Sequence, residues 1–412
     1  MRWRPEATGR AAFFALLASQ FAATTGFLFV MPFMPLYVES LGVESAGDAA
    51  AWAGVLNAAT AVTMALTAPL WGRVADRFGP KAMLLRATFA GAVVVGLMGF
   101  VTSPEQLLWL RLLQGCLTGT VAAATLLASE TAPAGRGGSR LGTLQTVIFA
   151  AAGFGPFVGG AFADVFGLRE SFFVTAGLLA LSSMLVLAFV GDVKPERSEE
   201  KDEAREGSGI PWRGLVPVLL ALFVVQTSIT SVAPALPGFV ATLVGGAQER
   251  IASLSGSILG AGALAAALGS FVGGKVAARV GPKVVILAAL AFSALAFLPQ
   301  AAVGGPIELG ALRVVASFFL GAVVPVANLA IKEAVPPERQ GTAFGVAASV
   351  TSVAFGVGPL GGGLLAAHFG FGAPFLVPAF LLGGAALVFA LAPRARARAV
   401  RVFKAALASV MR

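Results

Sequence analysis

An arginine and an acid lie within long apolar stretches of this sequence, where ionisable side chains are rare. Arg111 begins the segment RLLQG, and Glu39 lies toward the end of the first apolar run. A guanidinium inside a membrane is costly unless it meets a partner or water, so chance placement is disfavoured. If the two side chains met, the arginine would hold the carboxylate ionised, and an arriving ligand could shift its proton affinity. These residue types therefore suggest proton exchange, while extension of both side chains to water stays open as the alternative.

Other reactive groups are scarce. The chain has one histidine, His368, and one cysteine, Cys116, which is too few for a metal-ligand cluster or a Cys/His nucleophile pair. It also lacks the GxxxxGK[ST] pattern of a phosphate-binding loop, so ATP cannot drive it directly. We therefore expect no enzyme activity, no metal and no cofactor, and an ion gradient as the energy source.

The composition indicates a membrane protein. Of 412 residues, 57% are hydrophobic and 12% charged, and the mean hydropathy is +0.87. A soluble domain of this composition would expose a large apolar surface. The net charge of +9 comes from short basic clusters between apolar runs, not from one basic stripe, and this excludes a nucleic-acid footprint.

The apolar runs predict an all-α polytopic protein with about twelve transmembrane helices. A spanning helix needs about 20 apolar residues, and such runs occur at 11–38, 51–71, 82–101, 106–129, 140–162, 171–190, 212–240, 252–273, 284–303, 309–331, 341–364 and 373–392. With both termini on one side, that side collects all of the 29 Lys and Arg residues except Arg111, Arg169, Arg250 and Arg313. The positive-inside rule makes this side the cytoplasm. We expect a multi-pass protein of the inner (plasma) membrane with both termini cytoplasmic.

The charge distribution predicts four regions. Residues 1–190 should form one six-helix bundle and residues 214–393 a second, joined by a charged cytoplasmic linker at 191–213. Residues 394–412 should form a basic cytoplasmic tail that lies on the inner leaflet. Each chain supplies both bundles, so a monomer in the lipid bilayer is expected.

The two bundles are expected to be repeats of one another. At an offset of about 202 residues, unusual positions of the first half fall on their counterparts in the second, including Pro32 on Pro234, Gly79 on Gly281, Arg111 on Arg313, and, with one further residue, Pro156 on Pro359. Six helices per half is an even number, so the halves are related by an axis along the membrane normal. Two such bundles around a central cavity can rock to open a site to each side in turn, which is typical of a carrier.

The segment GRVADRFGPK, between the second and third predicted spans, resembles motif A of the major facilitator superfamily. In that family the motif acid, here Asp76, caps the N-terminus of helix 11 in the outward-facing state. The resemblance further implies that Arg77 and Lys81 pair with acids at cytoplasmic helix ends and form a latch. This motif A latch comprises Gly72, Asp76, Arg77, Gly79 and Lys81.

Two further segments resemble motifs of the same superfamily. Arg111, Gln114 and Gly115 resemble motif B of helix 4, whose arginine tunes a proton-carrying acid, and the likeness makes Glu39 the candidate acid because helices 1 and 4 line the cavity in this family. Small residues of the fifth span resemble the antiporter signature, motif C, which lets helices 5 and 8 approach and seals one side against ion leak; its residues are Gly155, Pro156, Gly159 and Gly160.

The phrase MPFMPLYVESLG, residues 31–42, is similar to the twelve-helix drug:proton antiporters, particularly their MdtG-like multidrug branch. This resemblance implies proton-driven export of lipophilic or amphiphilic drug-like small molecules. Mild polar side chains would line the cavity: Gln20, Thr24, Asn57, Gln145, Gln226 and Asn328. A metabolite or nutrient uniporter or symporter on the same scaffold is the alternative, and a receptor without transport is disfavoured by the internal repeat.

Overall fold

The computed structural model of the chain describes residues 10–130, 137–191, 212–245, 250–336 and 339–391. Throughout these residues the regular structure is helical, as the apolar runs predicted. Most of the predicted linker and all of the predicted basic tail lie outside the described residues.

The first half contains spans 1 to 6. Span 1 consists of helices Arg10–Phe29 and Met34–Ser40, joined by the 3-10 turn Met31–Phe33. Spans 2 and 3 form the helical stretch Ala46–Met98, which turns at Gly79. The remaining helices are Pro104–Leu117 and Val121–Glu130 (together span 4), Gly137–Phe166 (span 5) and Leu168–Phe189 (span 6).

The second half contains spans 7 to 12. Their helices are Trp212–Ser231 and Leu236–Leu243 (span 7), Ile251–Val280 (span 8), Pro282–Phe297 with the 3-10 turn Leu298–Ala302 (span 9), Pro306–Ala334 (span 10), Gln340–Phe369 (span 11) and Ala373–Leu391 (span 12). The odd-numbered spans begin at one face, here called the terminus face. They end at the opposite face, here called the far face.

The fourth span differs from the sequence prediction. Eleven helices among the described residues are long and apolar enough to cross a membrane, whereas span 4, predicted as one helix over 106–129, is interrupted after Leu117. Thr118 is extended and Gly119 has φ +122°, while the Thr118 hydroxyl donates to the Gln114 backbone oxygen at 2.7 Å. The side chain thus satisfies a carbonyl at the helix end, and glycine tolerates the positive φ that follows.

Spans 1 and 7 are interrupted at equivalent positions. Pro32 lies in the turn that divides span 1, and Pro234 lies in the turn that divides span 7. A proline has no N–H to donate and its ring crowds the preceding turn, so it breaks a helix at this place. The repeat that aligned these prolines in the sequence therefore also describes a shared break in the backbone.

Hydroxyl groups tie the spans of the first half together. Ser19 in span 1 lies 2.7 Å from Ser182 in span 6, and Thr88 in span 3 lies 2.6 Å from Ser183, oxygen to oxygen. The Tyr37 hydroxyl donates to the Met98 backbone oxygen at 2.7 Å. Such bonds join membrane helices without the hydrophobic driving force available in water.

Candidate gates and substrate pathway

The glycines of the fifth span allow two other helices to approach closely. A β-carbon added at Gly159 would collide with the backbone oxygen of Phe29 in span 1, and one added at Gly160 would collide with that of Ala252 in span 8. Two adjacent residues thus face two different halves of the molecule. Gly159 holds the first half together, and Gly160 contacts the second half.

The eleventh span repeats this arrangement. A β-carbon at Gly362 would collide with the backbone oxygen of Ser231 in span 7, and one at Gly363 with that of Ala50 in span 2. All four contact positions correspond at the offset of 202 to 203 residues found in the sequence. The repeat is therefore present in the packing as well as in the residue pattern.

The two halves meet toward the far face. A β-carbon at Gly54 would collide with the Pro359 backbone oxygen, and one at Gly47 would lie 3.2 Å from the Cα atom of Ala367. Nearer the terminus face, β-carbons at Gly142 and Gly345 would meet no atom within 4 Å. These close glycine contacts between the halves thus lie toward the far face, and the molecule is in a conformation that is closed on that face.

A cavity of about 690 Å³ lies at this closed end, between the halves. Its walls combine apolar side chains such as Leu36 and Phe371 with two carboxylates, Glu39 from span 1 and Asp164 from span 5. Glu39 is half-buried there, in the last turn of its helix.

Arg111 does not pair with Glu39 in this conformation, in contrast to the pairing that the sequence suggested. Its guanidinium donates to the side-chain oxygen of Gln114 at 3.1 Å and to the sulfur of Met34 at 3.5 Å, and its Nε has no partner among the described residues. The side chain is buried. Met34 precedes Glu39 by five residues on the same span, so Arg111 reaches span 1 deeper in the membrane than the acid.

The equivalent arginine of the second half is also buried. Arg313 donates to the Ile229 backbone oxygen of span 7 at 3.1 Å, and its guanidinium carbon lies 5.3 Å from the centroid of the Phe297 ring. Its Nη1 has no partner among the described residues. Each half thus holds one guanidinium by neutral groups, which leaves part of its hydrogen-bonding capacity unused.

The residues of motif A lie around the turn between spans 2 and 3. Gly79 has φ +80°, a left-handed conformation that favours glycine, and Arg77 lies with its guanidinium carbon 5.4 Å from the centroid of the Phe78 ring. Lys81 follows in the first turn of span 3. The side-chain surroundings of Gly72 and Asp76, and with them the expected cap on span 11, lie outside the described part of the structure.

The predicted cavity residues differ in their exposure. Gln20 is fully buried, and neither polar atom of its amide has a partner among the described residues. Gln145 and Asn328 are exposed, and the half-buried members of the set are Thr24, Asn57 and Gln226. The six residues therefore differ in their surroundings, and their role as one substrate-lining set stays a prediction.

Two arrangements were not anticipated from the sequence. Trp71 donates its indole N–H to the Cys116 backbone oxygen at 2.6 Å, just before the break in span 4, and the Arg86 guanidinium carbon lies 3.5 Å from its ring centroid. At the far face, Asp164 accepts hydrogen bonds from the start of span 8. A capping role for Asp164 has no local sequence signal, because the helix it caps begins 87 residues later.

Comparisons with known proteins agree with this architecture. The sequence-family model of the Major Facilitator Superfamily matches this chain twice, over residues 16–217 and 218–411. The chain therefore belongs to this superfamily.

More specific relatives are bacterial. The chain is 35% identical over 365 residues to the multidrug resistance protein MdtG of Enterobacter lignolyticus (strain SCF1), covering 88% of this chain and 87% of the relative. It is 34% identical over 358 residues to MdtG of Proteus mirabilis (strain HI4320), covering 86% and 89%.

Solved structures share the fold at lower identity. A bacterial homologue of the human lysosomal transporter Spinster, in an inward-facing and occupied conformation, superimposes with a TM-score of 0.76 at 15% identity, covering 94% of this chain and 97% of the other. The human organic anion transporter MFSD10 gives a TM-score of 0.67 at 18% identity, with 92% and 99% coverage. At these identities the likeness concerns the fold alone.

Proposed function

We propose that this chain exports lipophilic or amphiphilic drug-like molecules across the inner membrane in exchange for protons, by alternating access. The observation that carries the proposal is its identity of 34 to 35% with multidrug resistance proteins over nearly their whole length. The internal repeat supports it, because two equivalent halves that meet at one end can open and close around a shared path.

The basic residues assign the terminus face to the cytoplasm, with both chain ends inside. The far face is then outside, and the described conformation is closed to the outside. In this reading, motif C residues Gly155, Pro156, Gly159 and Gly160 seal the outer side by letting helices pack closely. The motif A latch acts at the opposite, cytoplasmic face. The working unit is a monomer, because one chain supplies both halves.

Glu39 is the proposed proton carrier. It lies half-buried in the cavity between the halves at the outer side, where closure and opening change its exposure to water. Arg111 approaches the same span at Met34. Movement of the spans would change the separation of this positive charge from the acid and, with it, the affinity of the acid for a proton.

The test uses inside-out membrane vesicles that contain the chain, with ethidium as the probe. Acidification of the vesicle interior should drive ethidium inward, and a protonophore should abolish the uptake. Glu39→Gln should lose the proton-driven component, whereas Glu44→Gln, which alters an exposed acid five residues further along, should retain it.

Proton-driven uptake that persists undiminished in Glu39→Gln would remove this residue from the mechanism while leaving export intact. Absence of gradient-driven movement for ethidium and for a panel of neutral and anionic amphiphiles, with protein present in the membrane, would contradict drug export itself. Substrate movement coupled in the opposite direction would favour the nutrient symporter.

A further inference from the structure

The start of span 8 is capped by a residue from the other half of the molecule. Asp164, in the last turn of span 5, accepts hydrogen bonds from the backbone N–H groups of Ala252 at 3.3 Å and Ser253 at 2.7 Å, and from the Ser253 hydroxyl. The residue that precedes the helix, Arg250, supplies no side-chain cap. The first N–H groups of a helix have no partner within the helix, and they carry the positive end of its dipole. A carboxylate is the best match for both.

The equivalent helix of the first half is capped differently. Span 2 begins after Ser45, whose own hydroxyl oxygen accepts from the Asp48 N–H at 3.3 Å. The position equivalent to Asp164 in span 11 is Ala367, which has no side-chain acceptor and packs against Gly47. Span 2 therefore keeps its cap whatever the other half does, whereas span 8 depends on a residue across the interface.

This difference couples the cap to the conformation. Spans 5 and 8 belong to different halves and approach each other along the small residues Gly160 and Gly256. When the halves separate at the far face, Asp164 moves away from the start of span 8. The backbone N–H groups of Ala252 and Ser253 then lose the carboxylate as acceptor, and only water can take its place. The closed state alone contains the interaction, so it alone is stabilised by it.

We propose that Asp164 is a far-face latch that favours the conformation closed on that face, by capping span 8 across the interface between the halves. It is a positioning residue, since it acts through the start of span 8 and so sets the balance between the two conformations. The arrangement is the counterpart of the cap that motif A resemblance assigns to Asp76 at the other face. One acid would follow span 2 and cap span 11, and the other ends span 5 and caps span 8.

The proposal needs alternating access but no particular substrate, and it can be tested without transport. Nitroxide labels at Glu105→Cys and Ile307→Cys, in a Cys116→Ala background, report the separation of the halves at the far face. Both positions are exposed and lie in the first turns of spans 4 and 10. Pulsed electron paramagnetic resonance on the purified full chain then gives the ratio of open to closed molecules.

Asp164→Ala should raise the open-to-closed ratio by about twofold to thirtyfold, the range expected from loss of a helix N-cap. Asp164→Asn keeps an acceptor without the charge and should give a smaller rise. Ser253→Ala removes only the hydroxyl bond, retains the two hydrogen bonds from backbone N–H groups to Asp164, and should also give a smaller rise. If Asp164→Ala does not fold, the open-to-closed ratio of Ser253→Ala tests the proposal in its place. The matched control is Asp48→Ala, which removes an exposed acid at the start of the equivalent span 2 and should leave the ratio unchanged.

An unchanged ratio in folded Asp164→Asn and Ser253→Ala would overturn the proposal. So would an equal rise in Asp48→Ala, because the effect would then come from surface charge and not from a bond between the halves. Failure of ethidium export would not alter either reading, since these measurements use neither substrate nor proton gradient.

Discussion

Replacement of Gly160 by alanine should open the far face without unfolding either half. The added β-carbon would collide with the backbone oxygen of Ala252 in span 8, and a backbone oxygen cannot rotate away as a flexible side chain can. The adjacent Gly159 presents the same collision with Phe29, but within the first half. The two substitutions therefore add one identical methyl group at neighbouring positions with different consequences.

The size of the effect follows from the cost of overpacking. An extra methylene in a packed interior costs about 1–3 kcal/mol, and in Gly160→Ala that cost falls only on the closed conformation. The open-to-closed ratio should then rise by about 5-fold to 150-fold. In Gly159→Ala both conformations bear the cost, so the ratio should stay the same and the melting temperature should fall instead.

The assay is the same far-face distance measurement between labels at positions 105 and 307, together with a thermal unfolding curve in detergent. Gly142→Ala serves as the matched control, because a β-carbon there meets no atom within 4 Å. The reasoning is refuted if Gly159→Ala opens the far face as much as Gly160→Ala, or if Gly142→Ala changes the ratio equally.

Three further predictions concern stability, each read from thermal unfolding of the purified chain. Gln114→Leu should lower the free energy of unfolding by about 1.5–3 kcal/mol, because the buried Arg111 loses a hydrogen bond to its charged group. An unchanged free energy of unfolding would mean that water replaces the amide. Gly119→Ala should lower the free energy of unfolding by more than about 1 kcal/mol, because its φ of +122° is unfavourable for other residues. Gly177→Ala, in open space on a helix, should leave that free energy unchanged or raise it, and equal effects of the two substitutions would contradict this. Tyr37→Phe should cost about 1–3 kcal/mol by leaving a buried backbone oxygen without its donor, and an unchanged melting temperature would show that this oxygen has another partner.

Local sequence patterns were sufficient for the number, order and approximate bounds of the spans. Span 5 was predicted at 140–162 and is Gly137–Phe166, and span 12 was predicted at 373–392 and is Ala373–Leu391. This worked because a bilayer requires about 20 apolar residues per helix, a property of each segment alone. The break in span 4 was missed because hydropathy does not register the backbone conformation of Thr118 and Gly119.

Contacts between residues far apart in the sequence were harder to predict from the sequence alone. Glu39 and Arg111 were matched because both are ionisable in apolar runs and because the motif B resemblance puts their helices along one cavity, yet the arginine bonds to Gln114 and Met34. A sequence reports which side chains need partners, but not at what depth two helices cross or which neutral groups are nearer. The cavity candidates differ in exposure for the same reason, since helix rotation decides which face each side chain occupies.

The sequence by itself determined that this protein has two equivalent sets of membrane-spanning helices, because apolar length and a repeat offset are written along the chain. Only the tertiary structure decided which glycine serves which interface: Gly159 faces its own half, and Gly160 faces the other. It also decided that Asp164 caps a helix that begins 87 residues later, beyond a predicted linker. Such contacts depend on how whole helices are placed against one another, and that placement results from the packing of all the spans together.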